Sequence, residues 1–391
     1  MMFDQPHLYE IEDMIDFASK YKRLYIYGCA SNQEYLVKFL DICGVNVDGY
    51  ITTLPDDRKL CYRHIPKYIL DEVDLKGAGI IVGLSDKYYQ GVIPRLRERA
   101  FTDYFLMSEL NKTKIAHKLM PHPREEMWIE INLADHCNLN CQMCDHFSPL
   151  VKEPEYLDLE VFERDMRRLA ELSCNHIDVI KLLGGEPLLN KEVNRFVEVT
   201  RTLFPKSNIC FFTNGLLLLA SEYYANGNFW QCCIDNDVSI QLTEYPINLN
   251  IREIEKKAEE YGAKLQVFAE VADRVRGKTK CSTKHPFDLN GRIDTLQFIS
   301  CYHFNECITL RNGRLFTCPI IPYAHYFNKA FGQHLEIGDE NSISIHEADS
   351  YEEIAEFVTR RVPFCSYCDI KHRRTMEWAR SSLGIGEYIE I

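Results

Sequence analysis

The sequence predicts an α/β protein of more than one domain. Three observations carry this expectation. Short apolar runs of strand length alternate with helical stretches through residues 1 to about 120, and the alternation resumes from residue 128. A Pro-rich stretch, 121–127, separates the two series. From about residue 275 the alternation gives way to a cysteine-containing hairpin pattern. The expected domains are therefore 1–120, 121–275 and 276–391, and 391 residues suffice for two or three of them.

In the first region, Leu24–Tyr27 reads as a strand and Gly28–Asn32 as the turn after it. A helix is expected over Gln33–Cys43, ended by Gly44. Val45–Ile51 and Gly79–Gly83 read as further strands, with a helix around Ile93–Arg99. Strand–helix alternation at this spacing implies a parallel sheet. The region resembles Rossmann-like domains found on some bacterial glycan-biosynthesis proteins. The dinucleotide fingerprint is degraded to Gly28, Ala30 and Gln33, so no NAD is assigned, and a docking or scaffold role is an equal reading.

In the second region, strands are expected at Trp128–Leu133, Ile177–Leu183, Ile209–Phe212, Val238–Leu242 and Lys264–Phe268. Val161, Phe162, Met166, Leu169 and Leu172 share one helical face, as do Val193, Phe196, Val197 and Leu203. A further helix is expected over Ile251–Tyr261.

Directly after the first of these strands stand Cys137, Cys141 and Cys144, spaced C-x3-C-x2-C. With 16 cysteines in 391 residues, chance produces one such pattern roughly 0.03 times per chain of this composition. Three thiolates on one loop hold three corners of a four-iron cluster and leave the fourth iron open. A zinc knuckle fits the spacing badly, because zinc sites usually pair two C-x2-C units. Gly184-Gly185-Glu186-Pro187 follows the second strand and Thr213-Asn214-Gly215 the third. The three motifs together, over residues 124–270, resemble the radical SAM superfamily.

That resemblance implies a partial (β/α)6 barrel with its chemistry at the strand ends. It implies S-adenosylmethionine (SAM) and a [4Fe-4S] cluster with one open iron as cofactors, with Cys137, Cys141 and Cys144 as ligands. Gly184 to Pro187 are expected to meet the methionine amino group, with the Glu186 carboxylate near the ammonium. Thr213 and Asn214 are expected near the ribose or carboxylate, although a strand-ending turn would also explain them. Met143 stands where the family usually has an aromatic residue against adenine.

In the third region, Asn312-Gly313 between apolar runs signals a hairpin, and a helix is expected around His346–Arg360. Cys301, Cys318 and the pair Cys365/Cys368 resemble the twitch subdomain, the short form of the SPASM extension. This would be a small α+β unit holding one auxiliary [4Fe-4S] cluster. Cys307 is a possible replacement for Cys301, and on ligand pattern alone a structural zinc site suits these cysteines equally well.

The formal charge of −13 argues against a nucleic-acid partner, and no 18-residue apolar run exists to span a membrane. The N-terminus does not read as a signal peptide, and metal-like cysteine spacings in a large chain argue for a reducing cytoplasm. The leading functional expectation is a redox, dehydrogenase-type change to a sugar, polyol or nucleotide sugar. The family also implies a low-potential electron donor such as flavodoxin or ferredoxin. Alternatives are a peptide-modifying maturase or epimerase, and a non-catalytic metal-stabilised scaffold. Asp145, His146, Glu244 and Tyr245 are candidate substrate contacts, each also readable as an ordinary loop residue; Cys281 could return a hydrogen atom in an epimerase or be a plain loop thiol.

Overall fold

The structure is a computed structural model and describes residues 8–29, 31–53, 65–221, 225–268 and 281–390. Ala30, Cys61 and the side chain of Cys281 lie outside the described residues, as does the expected domain boundary near 275. The chain divides into two compact units. The first comprises residues 1–120 and 294–301, the second 121–293 and 302–391.

The first unit is built on five parallel strands: β1 (Arg23–Tyr27), β2 (Gly49–Thr52), β3 (Lys67–Ile69), β4 (Ala78–Val82) and β5 (Tyr104–Leu106). Their order is β3-β2-β1-β4-β5, the doubly wound arrangement in which strand order reverses beside β1. Helices α1 (Leu8–Ala18), α2 (Ser31–Ile42), α3 (Tyr89–Glu98) and α4 (Glu109–Leu119) accompany the sheet. The strand expected over Val45–Ile51 begins only at Gly49, because Gly44 and the next four residues form the turn out of α2.

The second unit holds one eight-stranded sheet. Five parallel strands come from its first half: β6 (Trp128–Asn132), β7 (Val179–Leu183), β8 (Asn208–Thr213), β9 (Val238–Thr243) and β10 (Lys264–Phe268). Between them run α5 (Leu159–Ser173), α6 (Val193–Leu203), α7 (Phe229–Asp235) and α8 (Ile251–Tyr261). Asp158 caps α5 by accepting from the amides of Glu160 and Val161, and Gly262 ends α8 at φ +73°. The apolar faces read from the sequence do pack inward. Phe162, Met166, Leu169, Phe196 and Val197 join Ile129, Ile180, Ile209 and Ile240 in one core.

The sixth parallel strand does not continue this series. It is β12 (Ile308–Arg311), which pairs with β6 at the opposite edge. A short strand β11 (Cys281–Lys284) precedes it in the chain. After β12 the chain turns through Asn312 (φ +48°) and Gly313 (φ +71°) into antiparallel β13 (Arg314–Phe316). Two successive positive φ values are the hairpin geometry that an Asn-Gly pair favours. Strand β14 (Ser342–Ser344) completes the sheet. The region expected as a separate third domain thus extends the central sheet. Helices α9 (Ala324–Phe331) and α10 (Tyr351–Val358) and strand β15 (Arg374–Glu377), paired with β11, complete this part. A second apolar core gathers Phe147, Phe287, Phe327, Phe364 and Tyr388.

Candidate active site

The loop after β6 is fixed to the loop after β7. Gly185 N donates to Ala134 O (2.7 Å) and Glu186 N to His136 O (3.0 Å), so the strand ladder continues into both loops. This contact explains the two glycines. A Cβ on Gly184 would lie 2.4 Å from Ala134 O, and one on Gly185 would lie 2.2 Å from His136 O. Gly184 also holds φ at +157°. The glycines therefore admit the cysteine loop itself, one residue before Cys137.

Within that loop, the residue preceding the second and the third cysteine is left-handed: Asn140 (φ +53°) and Met143 (φ +54°). Asn tolerates this conformation, whereas Met must be held in it by its surroundings. The result is a loop whose three cysteines all border one cavity of about 320 Å³, together with Gly184, Gly185, Thr213 and Asn214. Met143 also borders it and is buried.

Asn214 reaches the cysteines directly. Its amide donates to Cys137 Sγ (3.6 Å) and to Asn138 Oδ1 (2.8 Å), and Leu139 N donates to the same sulfur (3.4 Å). Burial pushes the Cys137 thiol up to about 12. A bound cation is what holds such a thiol as a thiolate at neutral pH. Burial also opposes ionisation of Cys144, but the adjoining His146 ring brings its pKa below the ordinary thiol value. This donor set fits an iron–sulfur cluster. Zinc fits less well: tetrahedral bonds of about 2.3 Å put sulfur atoms about 3.8 Å apart. Among the described residues, no three cysteine sulfurs fall within 4.8 Å of one another. The trio that does meet that limit, Asp369, His372 and Glu390, contains no cysteine.

Glu186 differs from expectation. Its side chain is fully buried and does not border the cavity. One carboxylate oxygen accepts from Leu188 N (3.2 Å) and Thr213 Oγ1 (2.8 Å), the other from Asn214 N (3.0 Å). It ties the loop after β7 to the loop after β8 and is not presented to a ligand. Burial raises its pKa to about 7. Pro187 is likewise buried behind the wall. Of the motif residues, Gly184, Gly185, Thr213 and Asn214 face the cavity.

Asp145 borders the cavity with 22% of its side chain accessible. It accepts from Lys284 Nζ (2.9 Å), His303 Nε2 (3.1 Å) and Tyr302 OH (3.4 Å). Burial works against its charge, but Lys284 and His303 hold the carboxyl well below the usual carboxylate range. Lys284 is itself inaccessible, its ammonium 4.6 Å from the Phe147 ring centroid and 5.5 Å from those of Phe287 and Tyr388. His146 and Tyr245 border the cavity; Glu244 does not. Ser148 Oγ and His146 Nε2 are shielded there with no hydrogen-bond partner among the described residues.

Sequence reasoning missed one element altogether. The segment after β15 runs antiparallel to the cysteine loop: Gln142 N donates to Ala379 O (2.9 Å) and Ser381 N to Asn140 O (2.8 Å). Glu387 accepts from Met143 N (3.3 Å) and from Ser381 and Ser382. This strap places Trp378 in the cavity wall. No spacing or motif in the sequence marks it.

Among the C-terminal cysteines, Cys318 follows β13, Cys365 lies within the helical turn Pro363–Tyr367, and Cys368 directly follows that turn. Cys318 and Cys368 are buried in the Phe147–Phe287–Tyr388 core, and Cys365 packs against it. Cys307 precedes β12 in the same compact unit, while Cys301 falls in the first unit. None of the described cysteines is in a disulfide.

In the first unit, the crevice between the ends of β1 and β4 is filled by side chains. The Gln33 amide donates to Gly83 O, and a Cβ on Gly28 would lie 2.7 Å from the Leu84 side chain. The buried Lys112 ammonium is spent on Leu84 O, Asp86 and Tyr89. No dinucleotide is assigned to this unit. Among the described residues, no helix is long and apolar enough to cross a membrane.

Residues 130–236 match a family described as a 4Fe-4S single cluster domain. The chain is similar to the GTP 3',8-cyclase of Heliobacterium modesticaldum, 35% identical over 108 residues, which are 27% of this chain and 32% of that protein. It is also similar to the GTP 3',8-cyclase of Clostridium acetobutylicum, 29% identical over 98 residues, 25% of this chain and 30% of that protein. The chain thus spans about a third of the curated relatives it matches. Among solved structures it is similar to BtrN in complex with AdoMet and 2-DOIA (TM-score 0.38, 18% identity, 61% of this chain and 84% of that one). It is similar also to anSMEcpe with bound AdoMet (TM-score 0.35, 13% identity, 62% and 90%). The matched segment contains the cysteine loop, the Gly-Gly-Glu-Pro turn and the Thr-Asn-Gly turn described above, the three motifs that carry the resemblance to the radical SAM superfamily.

Proposed function

We propose that this protein is a radical SAM enzyme that removes hydrogen from a hydroxylated small molecule, a sugar, polyol or nucleotide sugar, in a dehydrogenase-type reaction. The observation that carries the reading is a single cavity bordered by three cysteines of one loop and by unpartnered polar groups. A [4Fe-4S] cluster with one open iron supplies, when bound, the one-electron cleavage of SAM that yields a carbon radical able to take hydrogen from an unactivated C–H bond.

The chain's own residues have separate tasks. Cys137, Cys141 and Cys144 would hold the cluster, with hydrogen bonds from Asn214 and Leu139 to Cys137 adjusting its sulfur charge. Gly184 and Gly185 keep the wall beside it low, and Thr213 and Asn214 offer polar atoms on the next strand. Asp145, kept ionised by Lys284 and His303, accepts a hydrogen bond from a substrate hydroxyl and orients its carbon. Ser148 Oγ and His146 Nε2 supply further hydrogen-bonding positions in the same wall. Cys318, Cys365 and Cys368, completed by Cys301 or Cys307, would hold the auxiliary cluster. A flavodoxin or ferredoxin is the expected electron donor, and the absence of disulfides among the described cysteines suits a reducing cytoplasm.

The test is anaerobic reconstitution, metal analysis, and incubation with reductant, SAM and a panel of deuterated nucleotide sugars. About eight irons and eight sulfides per chain are expected for two four-iron clusters. Deuterium should appear in 5′-deoxyadenosine, with an oxidised sugar in equal amount. A protein that binds only zinc would overturn the reading. Turnover of a peptide in place of any sugar would overturn its substrate class.

A further inference from the structure

The strap after β15 has no part in the metal chemistry, yet it supplies a cavity wall. Trp378 borders the cavity, and its ring centroid lies 5.8 Å from that of Tyr245 at 51°. Tyr245 is held in turn by a hydrogen bond to Cys141. The indole Nε1–H is shielded from solvent and has no hydrogen-bond partner among the described residues. A buried donor without an acceptor is destabilising, so a built site that contains one points to a ligand acceptor.

The cavity is therefore two-sided. On the side of β7 and β8 it offers Gly184, Gly185, Thr213 and Asn214, small or polar and suited to a zwitterion. On the side of β9 and the strap it offers two aromatic rings and one N–H donor. SAM has the same division, a charged methionine joined through ribose to a flat aromatic base. We infer that Trp378 is the adenosyl platform of this enzyme. The adenine packs against the Trp378 and Tyr245 rings, and Nε1–H donates to an adenine nitrogen or a ribose oxygen. Met143, the buried loop residue at φ +54°, offers no ring for this purpose. The inference rests on the reading of Cys137, Cys141 and Cys144 as the cluster site.

The experiment uses the full chain with its clusters reconstituted, as wild type, Trp378→Ala and Trp378→Phe. Equilibrium binding of SAM and of L-methionine is measured for each, with iron content and the electron paramagnetic resonance spectrum of the reduced cluster as checks on the loop. Base–aromatic stacking predicts that Trp378→Ala weakens SAM binding roughly fivefold or more. Methionine, which lacks the adenosyl group, should bind the variant as it binds the wild type. Trp378→Phe keeps a ring but not the donor and should fall between. Unchanged SAM affinity in Trp378→Ala would overturn the inference and leave the cluster reading standing. So would a parallel loss of SAM and methionine, which marks general damage to the loop. A wild type with full clusters that bound no SAM would instead overturn the cluster reading beneath it.

Discussion

Gly185→Ala is the sharpest single perturbation of this site. The added Cβ would stand 2.2 Å from His136 O, 2.5 Å from its carbonyl carbon and 2.8 Å from Asp135 O. All three are backbone atoms, so no side chain can swing away. Ordinary contact begins near 3.4 Å, and the cysteine loop must therefore retreat by about 1 Å. That retreat breaks the bonds from Gly185 N to Ala134 O and from Glu186 N to His136 O. At about 0.5–1.5 kcal/mol each, the expected loss of stability is about 1–3 kcal/mol. Cys137 is the next residue and moves with the loop, far outside the roughly 0.2 Å tolerance of a metal–ligand bond. Iron bound per chain and urea denaturation, measured after identical anaerobic reconstitution, report the two effects. Gly91→Ala is the control: it lies inside α3 with nothing within 4 Å of its added Cβ and should stabilise by about 0.5–1 kcal/mol. A Gly185→Ala protein with full iron content and wild-type stability would refute the argument that the glycines exist to admit the loop.

Other expectations follow from the charged groups. Arg311 grips the buried Asp135 through two parallel bonds of 2.7 and 2.6 Å, so Arg311→Ala should cost about 3–5 kcal/mol in denaturation, and Arg311→Lys clearly less; equal losses would show that the charge does not matter. Burial, with the neighbouring His303, Arg373 and Lys284, lowers His285 to about 3. Below pH 6.5 the unfolded chain takes up a proton that the folded chain refuses, so stability falls as the pH drops from 6.5 toward 3 and is restored above 6.5. His285→Leu should flatten that slope between pH 7.5 and 5; an unchanged difference in urea midpoint would count against it. Lys284→Met leaves the Asp145 carboxylate with only His303 and Tyr302 as its donors and should cost several kcal/mol, read by denaturation. Asp145→Asn/Lys284→Met should recover part of that loss, and failure to recover would sink the pairing argument.

What could be read in the sequence was local. The three cysteines and the Asn312-Gly313 turn each act within a few residues, so their spacing revealed them, whereas the paired glycines entered through the family resemblance. The amphipathic faces of α5 and α6 follow the same logic. What could not be read was non-local. Gln142 meets Glu377 across 235 positions, and Lys284 meets Asp145 across 139. Nothing in either segment names its partner. Glu186 shows a subtler limit. The motif gives a carboxylate beside the cavity, but its direction depends on three donors from Thr213, Asn214 and Leu188 that turn it inward. The place of the sixth parallel strand was hidden for the same reason, since β12 joins β6 from almost 180 residues away.

That insertion of β12 beside β6 has a consequence for the placing of the cysteines. The loop carrying Cys137 leaves β6, and Cys318 leaves β13, the hairpin partner of β12. Both cysteine groups are thus attached to a single hydrogen-bonded sheet, on strands with β12 between them, adjacent strands being spaced about 4.8 Å apart. The sheet acts as a ruler: its hydrogen-bonded pairing fixes where the two cysteine-bearing strands stand relative to one another.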